Sequence, residues 1–302
     1  MRLSKLIPTT VPNGKILTAI LPVHNYLERR SAILNILNQV EPYVSVIQVM
    51  LIFSGSSPDN DWKLLGADKP NIPSIAAHRF LKNSSPGEAR NLGISLCETP
   101  WITFWDDDDF PLVESILKVL LKLQPNKVLV GQYAVRDLCT QYMQNSKSSR
   151  SRTSLVMDGG IWRIMFPIDF IRHLKFPPLN LAEDRFFLLL VCTHFSNKHF
   201  IFSDELLYIY QRGTNSLMTK YTQEDAIKIL DLLLKYWESK KGNPFTILLV
   251  LSLCISYFFH LPLKRYTSKI SLQLFLKHPI LSLWALLSIL IHNVLAYWKL
   301  RS

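Results

Sequence analysis

The segment from residue 86 to residue 109 constrains the fold of this chain more than any other. It opens with proline and glycine, and the run Glu-Ala-Arg-Asn-Leu that follows favours a helix. The helix is expected to end before Pro100, because the residue that precedes a proline is pushed out of the helical region. The apolar, β-favouring run at 101–105 is typical of a buried strand. This order of elements predicts an α/β fold.

Four consecutive aspartates, residues 106–109, follow that predicted strand. Two like charges about 4 Å apart repel by roughly 4 kcal/mol in a partly buried site, and a divalent cation reverses this cost. Because side chains alternate along a strand end, Asp106 and Asp108 are predicted to point the same way. We therefore predict that they hold a hard cation, Mn²⁺ or Mg²⁺, which shares its oxygen ligands with phosphates. The alternative is a solvated acidic turn, although ligands bind beyond the carboxyl ends of strands in open α/β sheets.

The length of 302 residues allows one large α/β domain with an appendage. The net charge of +11 comes without a long basic run or a known nucleic-acid motif, so no nucleic-acid partner is predicted. An anionic substrate or an anionic membrane surface fits this charge.

Two further features concern the cellular compartment. The cysteines are far apart among apolar neighbours, which predicts buried free thiols in a reducing compartment: Cys97, Cys139, Cys192 and Cys254. No apolar segment precedes Gly14, so no secretory signal peptide is predicted.

Apolar runs and helical patterns alternate along the rest of the first two thirds of the chain. Strands are predicted at 16–23, 44–53, 75–81, 127–135 and 206–212, and helices at 28–40, 111–123 and 168–173. The polar run at 141–154 predicts a mobile surface loop.

The run Pro-Gly-Glu-Ala-Arg-Asn-Leu-Gly-Ile at 86–94, followed by a strand and an Asp-x-Asp-Asp, resembles family 2 glycosyltransferases with the GT-A fold. The resemblance covers about residues 16–216. It implies a Rossmann-like mixed sheet flanked by helices. It also implies metal-assisted transfer of a sugar from a nucleotide-diphosphate sugar to a hydroxyl of a glycan, polysaccharide or lipid-linked acceptor. The common family outcome is a single displacement with inversion.

The resemblance also implies roles for particular residues, with the nucleotide-sugar half at about 16–110 and the acceptor half at about 111–222. The implied donor-binding residues are Pro22, Asn25, Ser54, Asp59, Arg90, Asp106, Asp107 and Arg212. Arg90 lies in the first turn of its predicted helix, where a fixed guanidinium suits a diphosphate, although an exposed helix arginine is the alternative. The chain departs from the family at Phe53 and Ser54, where two acids usually precede Gly-Ser, and this puts uracil recognition in doubt.

Sugar transfer to a hydroxyl needs a base that takes the acceptor proton. The run Leu-Ala-Glu-Asp-Arg at 181–185 resembles the Glu-Asp motif of the family at a helix start, which implies that Asp184 is the base. Gly160, Trp162 and Glu183 are implied on the acceptor side. The alternative is that Glu183 and Asp184 are ordinary acids at a helix N-terminus, favoured by the helix dipole.

Residues 223–302 are predicted to form a hydrophobic helical tail. The runs 244–263 and 279–298 lack charged residues, and each is near the roughly 20 residues that span a bilayer. The basic residues between them, together with His260 and His292, favour interfacial or re-entrant helices over two spans. We predict contact with the cytoplasmic face of a membrane through 244–298, and the alternative is a soluble helical subdomain or an oligomer interface.

Two other functions are possible alternatives. A catalytically silent nucleotide-binding or sugar-binding protein is favoured by the missing acids at Phe53 and Ser54, and opposed by Asp106, Asp108 and Asp184. A metal-dependent phosphotransferase needs a phosphate cradle such as a Gly-rich loop with lysine, and the sequence contains none.

Overall fold

The structure of the protein is a computed structural model. The structure describes residues 14–212, except 57, 72–75, 82, 124, 147–149 and 180, and eight helical positions between 225 and 239. The chain divides into two units after Ser216. The predicted boundary between catalytic domain and tail at residue 222 remains a prediction.

The described residues form one mixed sheet with helices beside it. Its strands are β1 (Leu17–Val23), β2 (Ile47–Phe53), β3 (Ala76–Phe80), β4 (Trp101–Phe104), β5 (Phe110–Pro111), β6 (Val128–Asp137), β7 (Met143–Ser146), β8 (Ile164–Pro167) and β9 (Phe200–Arg212). The helices are α1 (Tyr26–Val40), α2 (Pro58–Asp68), α3 (Pro86–Leu96), α4 (Val113–Leu120), α5 (Arg152–Asp158), α6 (Ile168–Ile171) and α7 (Glu183–His194). Short 3₁₀ turns occur at Glu41–Tyr43, Ile161–Arg163 and Asn197–His199.

The strand order is β3-β2-β1-β4-β8-β6-β9-β5, and β7 pairs with β6. Strands β3, β2, β1 and β4 are parallel, whereas β8 runs antiparallel to both β4 and β6. The order along the sheet reverses between β1 and β4, which is where open α/β sheets bind ligands. The carboxyl ends of β1 and β4 therefore meet at one edge, and the predicted fold class is confirmed for the described part of the chain.

The central strands are apolar along their whole length. Every residue of β1 and of β4 is buried, as expected for parallel strands that are covered on both faces. Helix α1 packs on the sheet through an apolar stripe of Ile33, Ile36, Leu37 and Val40.

Helix α3 is fixed at its start and along its face. Ser85 and Glu88 form a reciprocal capping box, and Pro86 occupies the first turn. The helix ends at Leu96, which confirms that it stops before Pro100. Gly93 lets α3 approach β1 so closely that a Cβ atom there would lie 2.6 Å from Ile20 Cδ1.

Three sequence predictions need correction. The prediction of a mobile loop at 141–154 is wrong in part. Strand β7 pairs with the edge of β6, and α5 starts at Arg152 with Ser151 as its cap. Strand β8 was missed, since four residues are too short for a periodic signal. The prediction of a buried thiol is wrong for Cys139, which is exposed in the turn after β6. It is confirmed for Cys97 and Cys192, which are buried.

The segment predicted to contact a membrane, 244–298, lies outside the described residues, as does Cys254. Within the part of the chain that the structure describes, none of the helices is both long and apolar enough to cross a membrane.

The close contact between α3 and β1 leads to a prediction about stability. Gly93→Ala should destabilise the protein by about 1–3 kcal/mol, because the new methyl group would overlap the buried Ile20 side chain. Gly66→Ala is the matched control, since a Cβ atom on Gly66, inside α2, would meet nothing within 4 Å. It should stabilise by up to about 1 kcal/mol through helix propensity alone. Urea unfolding followed by circular dichroism measures both, and equal midpoints for the two variants would contradict the tight contact.

Candidate active site

The four aspartates form a turn at the edge where β1 and β4 end. Pairing with β1 continues one residue past β4, where the Trp105 N–H donates to Ile20 O at 2.9 Å. The chain then turns, and the Asp109 N–H donates to Asp106 O at 3.4 Å. We call residues 106–109 the acidic turn. Strand alternation therefore does not govern where Asp106 and Asp108 point, although the turn lies at the predicted edge.

A buried arginine joins the acidic turn to the start of α7. Arg90 Nη2 lies 2.8 Å from Asp106 Oδ1, and Nη1 lies 2.6 Å from Glu183 Oε1. Arg90 is only 5% exposed, and its guanidinium lies over the Phe176 ring at 5.5 Å. The structure thus uses Arg90 to hold two predicted site carboxylates. Its role as a ligand of the donor diphosphate stays a prediction.

A second arginine, which sequence reasoning missed, contacts the other side of the acidic turn. Arg29 on α1 places Nη1 3.2 Å from Asp108 Oδ2 and Nε 3.7 Å from Asp107 Oδ1. Asp107 also accepts the His24 N–H at 3.4 Å. The one available signal was a cation in the helix that follows the first strand, and that signal is weak without the register of α1.

Strand β9 holds the acidic turn from a third side. The Gln211 N–H donates to Asp109 Oδ1 at 2.7 Å, and Gln211 Nε2 donates to Asp108 O at 2.6 Å. The Tyr208 hydroxyl accepts the Asp106 N–H at 3.1 Å. Asp109 is 1% exposed, so this aspartate shapes the turn and does not face a ligand.

The neighbouring Arg212 was predicted to bind the donor. It is exposed at the end of β9, and its carbonyl accepts the Leu138 N–H at 3.1 Å. Its side chain is near enough to Asp137 to help lower the pKa of that carboxyl, after the hydrogen bonds from Thr140. Its role at the diphosphate is a prediction that the structure leaves open.

Burial and crowding raise the pKa values of Asp106, Asp107 and Asp109. Burial, reinforced by the charge of Asp108, raises the pKa of Asp107 to about 8, although Arg29 opposes the shift. Burial also raises the pKa of Asp106, where Arg90 opposes the shift, and it raises the pKa of Asp109 well above the usual range. Clefts with such perturbed carboxylates are typical of functional sites.

The predicted base lies beside this turn. Asp184 follows Glu183 in the first turn of α7, after Ala182 in a left-handed conformation with φ +63°. Burial raises the pKa of Glu183, Arg90 opposes this shift, and the charge of the neighbouring Asp184 adds to it. A Cβ atom on Gly159 would lie 3.4 Å from Asp184 Oδ2, so the backbone of a glycine covers this carboxylate closely.

The residues predicted on the acceptor side, Gly160 and Trp162, lie among aromatic rings. The Trp162 indole stacks on Tyr208 with 4.5 Å between centroids and is nearly parallel to Tyr210 at 5.8 Å. Tyr133 meets the same indole edge-on at 4.8 Å. Gly160 has φ +74°, and a Cβ atom there would lie 3.0 Å from the indole. The structure brings Gly160 and Trp162 together, next to the strand that holds the acidic turn.

The residues predicted near the nucleobase have structural partners. Pro22 is buried in β1 opposite Ile52, and Asn25 caps α1 by accepting the Glu28 N–H at 3.4 Å. Ser54 is 2% exposed, and its hydroxyl donates to Val23 O at 3.4 Å. Their contacts with a nucleobase stay predictions.

The acid that the sequence placed at Asp59 is exposed at the start of α2. Two residues later, Asp61 turns back toward the end of β1. A Cβ atom on Gly55 would lie 3.7 Å from Asp61 Oδ2 and 2.0 Å from His24 O. Burial raises the pKa of Asp61, while the Tyr26 N–H, which bonds the carboxylate, opposes the shift. The available signal for Asp61 was a second acid in the first turn of α2.

The acidic turn offers the oxygen ligands that Mn²⁺ and Mg²⁺ prefer. Among the described residues, no group of three or more histidine, cysteine, aspartate or glutamate side chains is placed to hold a metal ion. A cation that shares its ligands with a diphosphate needs only one or two carboxylates from the protein. Asp108, with 37% of its side chain exposed, and Asp106 fit that requirement by their chemistry.

Comparison with known proteins gives the same fold. A family model described as Glycosyl transferase family 2 matches residues 18–188, which is more than half of the chain. An uncharacterized glycosyltransferase of Haemophilus influenzae is 28% identical over 185 residues, covering 58% of this chain and 72% of that protein.

Two solved structures resemble the chain at low sequence identity. Residues 1–349 of S. aureus TarS, in complex with UDP-GlcNAc, align with a TM-score of 0.64 and 14% identity over 89% of this chain and 79% of that one. The mannosyltransferase PcManGT of Pyrobaculum calidifontis, in complex with GDP-Man and Mn²⁺, aligns with a TM-score of 0.55 and 13% identity over 96% and 82%.

The raised pKa of Asp107 makes a pH prediction for the metal-free protein. Between about pH 4 and pH 8 the folded state binds more protons than the unfolded state, so this group lowers stability as the pH rises. Asp107→Asn cannot ionise, and its melting temperature should rise relative to wild type as the pH increases from 5 to 8. Asp59→Asn, an exposed acid, controls for the loss of one charge. A constant difference across this range would show that Asp107 is not perturbed in this way.

Proposed function

The chain belongs to glycosyl transferase family 2, and from that premise we propose that it moves a sugar from a nucleotide-diphosphate sugar to a hydroxyl acceptor. The chain is a glycosyltransferase with the GT-A fold. The observation that carries the finer proposal is the joining of Asp106 and Glu183 through Arg90, because it sets Asp184 beside the acidic turn at the edge of the sheet. The proposed donor class draws support from the nucleotide sugars bound by the two solved structures.

We assign the base to Asp184. Glu183 is 8% exposed and holds Arg90, so it is committed to an ion pair. Asp184 is the more exposed of the two. In a single displacement with inversion, the acceptor oxygen forms a bond to the anomeric carbon while the bond from that carbon to the diphosphate breaks. Asp184 takes the hydroxyl proton as the new bond forms.

On the donor side, Asp106 and Asp108 would hold a Mn²⁺ or Mg²⁺ ion. When bound, such an ion neutralises the charge that develops on the leaving diphosphate. Asp107 and Arg212 complete the proposed donor contacts. On the acceptor side we propose that Gly160 and Trp162 shape the site for a glycan or lipid-linked glycan. The indole is 8% exposed and stacks on Tyr208, so it would act through packing.

The proposed location, the cytoplasmic face of a membrane, rests on the sequence of residues 244–298 alone. The second candidate function, a silent nucleotide-binding protein, is favoured by one observation, the burial of Ser54 against Val23 O. Transfer assays with a panel of UDP-, GDP- and dTDP-sugars, with and without Mn²⁺, separate the two. Nucleotide binding without transfer to any hydroxyl acceptor, including water, would favour the silent protein.

Substitutions of Asp184 and Asp108 should impair different functions of the site. Asp184→Asn should retain the affinity for donor nucleotide but lower transfer by about 10²–10⁴-fold, because the acceptor proton has no base. Asp108→Ala should weaken the metal-dependent affinity for the nucleotide. Calorimetric titration and a transfer assay on both variants measure the two effects. Transfer at the wild-type rate by Asp184→Asn would show that the base is another group.

Variants of Asp61 and Asp59 test which of the two acids binds the nucleobase. We predict that Asp61→Asn weakens nucleotide affinity several-fold, since its carboxylate lies where the turn after β1 meets the turn after β2. Asp59→Asn, two residues away and exposed, is the matched control and should bind like wild type. Titration with UDP, GDP and dTDP gives the comparison. The reverse order of effects would return the role to Asp59.

A further inference from the structure

Two adjacent arginines on α1 have different partners. Arg29 contacts Asp107 and Asp108 of the acidic turn, whereas Arg30 Nε donates to Asp68 Oδ2 on α2 at 2.8 Å. Successive residues of a helix are rotated by about 100°, so neighbouring side chains diverge. The chain therefore contains a cation at the acidic turn and a matched cation beside it that faces elsewhere.

The two cations of the acidic turn differ in exposure. The Arg90 side chain is 6% exposed, and its ion pairs are short at 2.8 and 2.6 Å. The Arg29 side chain is 34% exposed, and its contacts are longer at 3.2 and 3.7 Å. Ion pairs open to water contribute little to stability because solvent screens them, whereas breaking a buried pair leaves an uncompensated charge. Arg90 is thus a fixed partner of the turn, and Arg29 is an exchangeable one.

Asp108 is therefore shared between two possible cations. It is 37% exposed, and it is also one of the two carboxylates proposed to hold the metal ion. The guanidinium of Arg29 lies against one of its oxygens, and a divalent cation at the same carboxylate would be repelled by that charge. A guanidinium and a metal ion cannot both contact Asp108 without this cost.

We propose that Arg29 is a resident counter-ion of the acidic turn, which occupies Asp107 and Asp108 in the donor-free enzyme and competes with the divalent cation. The proposal rests on the metal assistance proposed above. It makes Arg29 a positioning residue that lowers the affinity of the empty site for metal. While no ligand is present, Arg29 compensates the charge of Asp108 and lies beside the crowded carboxyl of Asp107.

The test is a titration of the nucleotide-free full chain with Mn²⁺ alone, followed by electron paramagnetic resonance of unbound Mn²⁺. Arg29→Gln should bind Mn²⁺ about three- to tenfold more tightly than wild type, the range expected for removal of one partly exposed like charge. Arg30→Gln is the matched control and should bind like wild type. Arg29→Lys keeps the positive charge and should also remain close to wild type. Thermal melts establish that each variant is folded.

Arg29→Gln binding Mn²⁺ no more tightly than wild type overturns the proposal, and so does an equal gain in Arg30→Gln. The transfer assay decides the enzymatic proposal separately. Sugar transfer by wild type without a gain in Arg29→Gln leaves the enzyme in place and removes the role of Arg29. A gain in Arg29→Gln without transfer from any nucleotide sugar leaves the counter-ion in place and removes the proposed activity.

Discussion

The buried guanidinium of Arg90 is the interaction on which the rest of the site depends. It joins α3 and the end of β4, which are consecutive in the chain, to the start of α7, which is distant in the sequence. Removing one partner from a buried ion pair typically costs about 3–5 kcal/mol, since the remaining charge stays buried without compensation. Burial alone would lower the pKa of Arg90, and the charges of Asp106 and Glu183 outweigh that effect. The positions of Asp106 and Asp184 relative to each other follow from this bridge.

Once this bridge is fixed, the four aspartates of the turn are no longer equivalent. Asp109 is buried and shapes the turn through the Gln211 N–H. Asp106 belongs to the Arg90 bridge, and it is partly exposed. Asp107 and Asp108 meet only the more exposed Arg29 among the cations of the described residues. The solvent side of the turn is therefore only partly compensated by cations of the protein, and a cationic or metal-bound ligand would supply the missing positive charge.

The helix and strand pattern was largely readable from the sequence, and the partners of the site residues were not. The strand at β4 and the stop of α3 before Pro100 follow from local rules, namely apolar run length and the effect of proline. The same rules placed Arg90 in α3, of which it is the fifth residue and not part of the first turn, but they could not give its partners. The sequence could not distinguish Asp59 from Asp61, because only the register of α2 shows which of two acids two residues apart is exposed.

The sequence by itself determined the α/β class, the family resemblance and the place of the acidic turn after a buried strand, because these depend on local patterns of apolar, acidic and glycine residues. Only the tertiary structure decided which cation meets which carboxylate. Arg90 pairs with Glu183 across 93 positions, and Arg29 reaches Asp108 where Arg30 does not. Such pairings depend on strand order and helix rotation, and both are set by how the whole sheet packs.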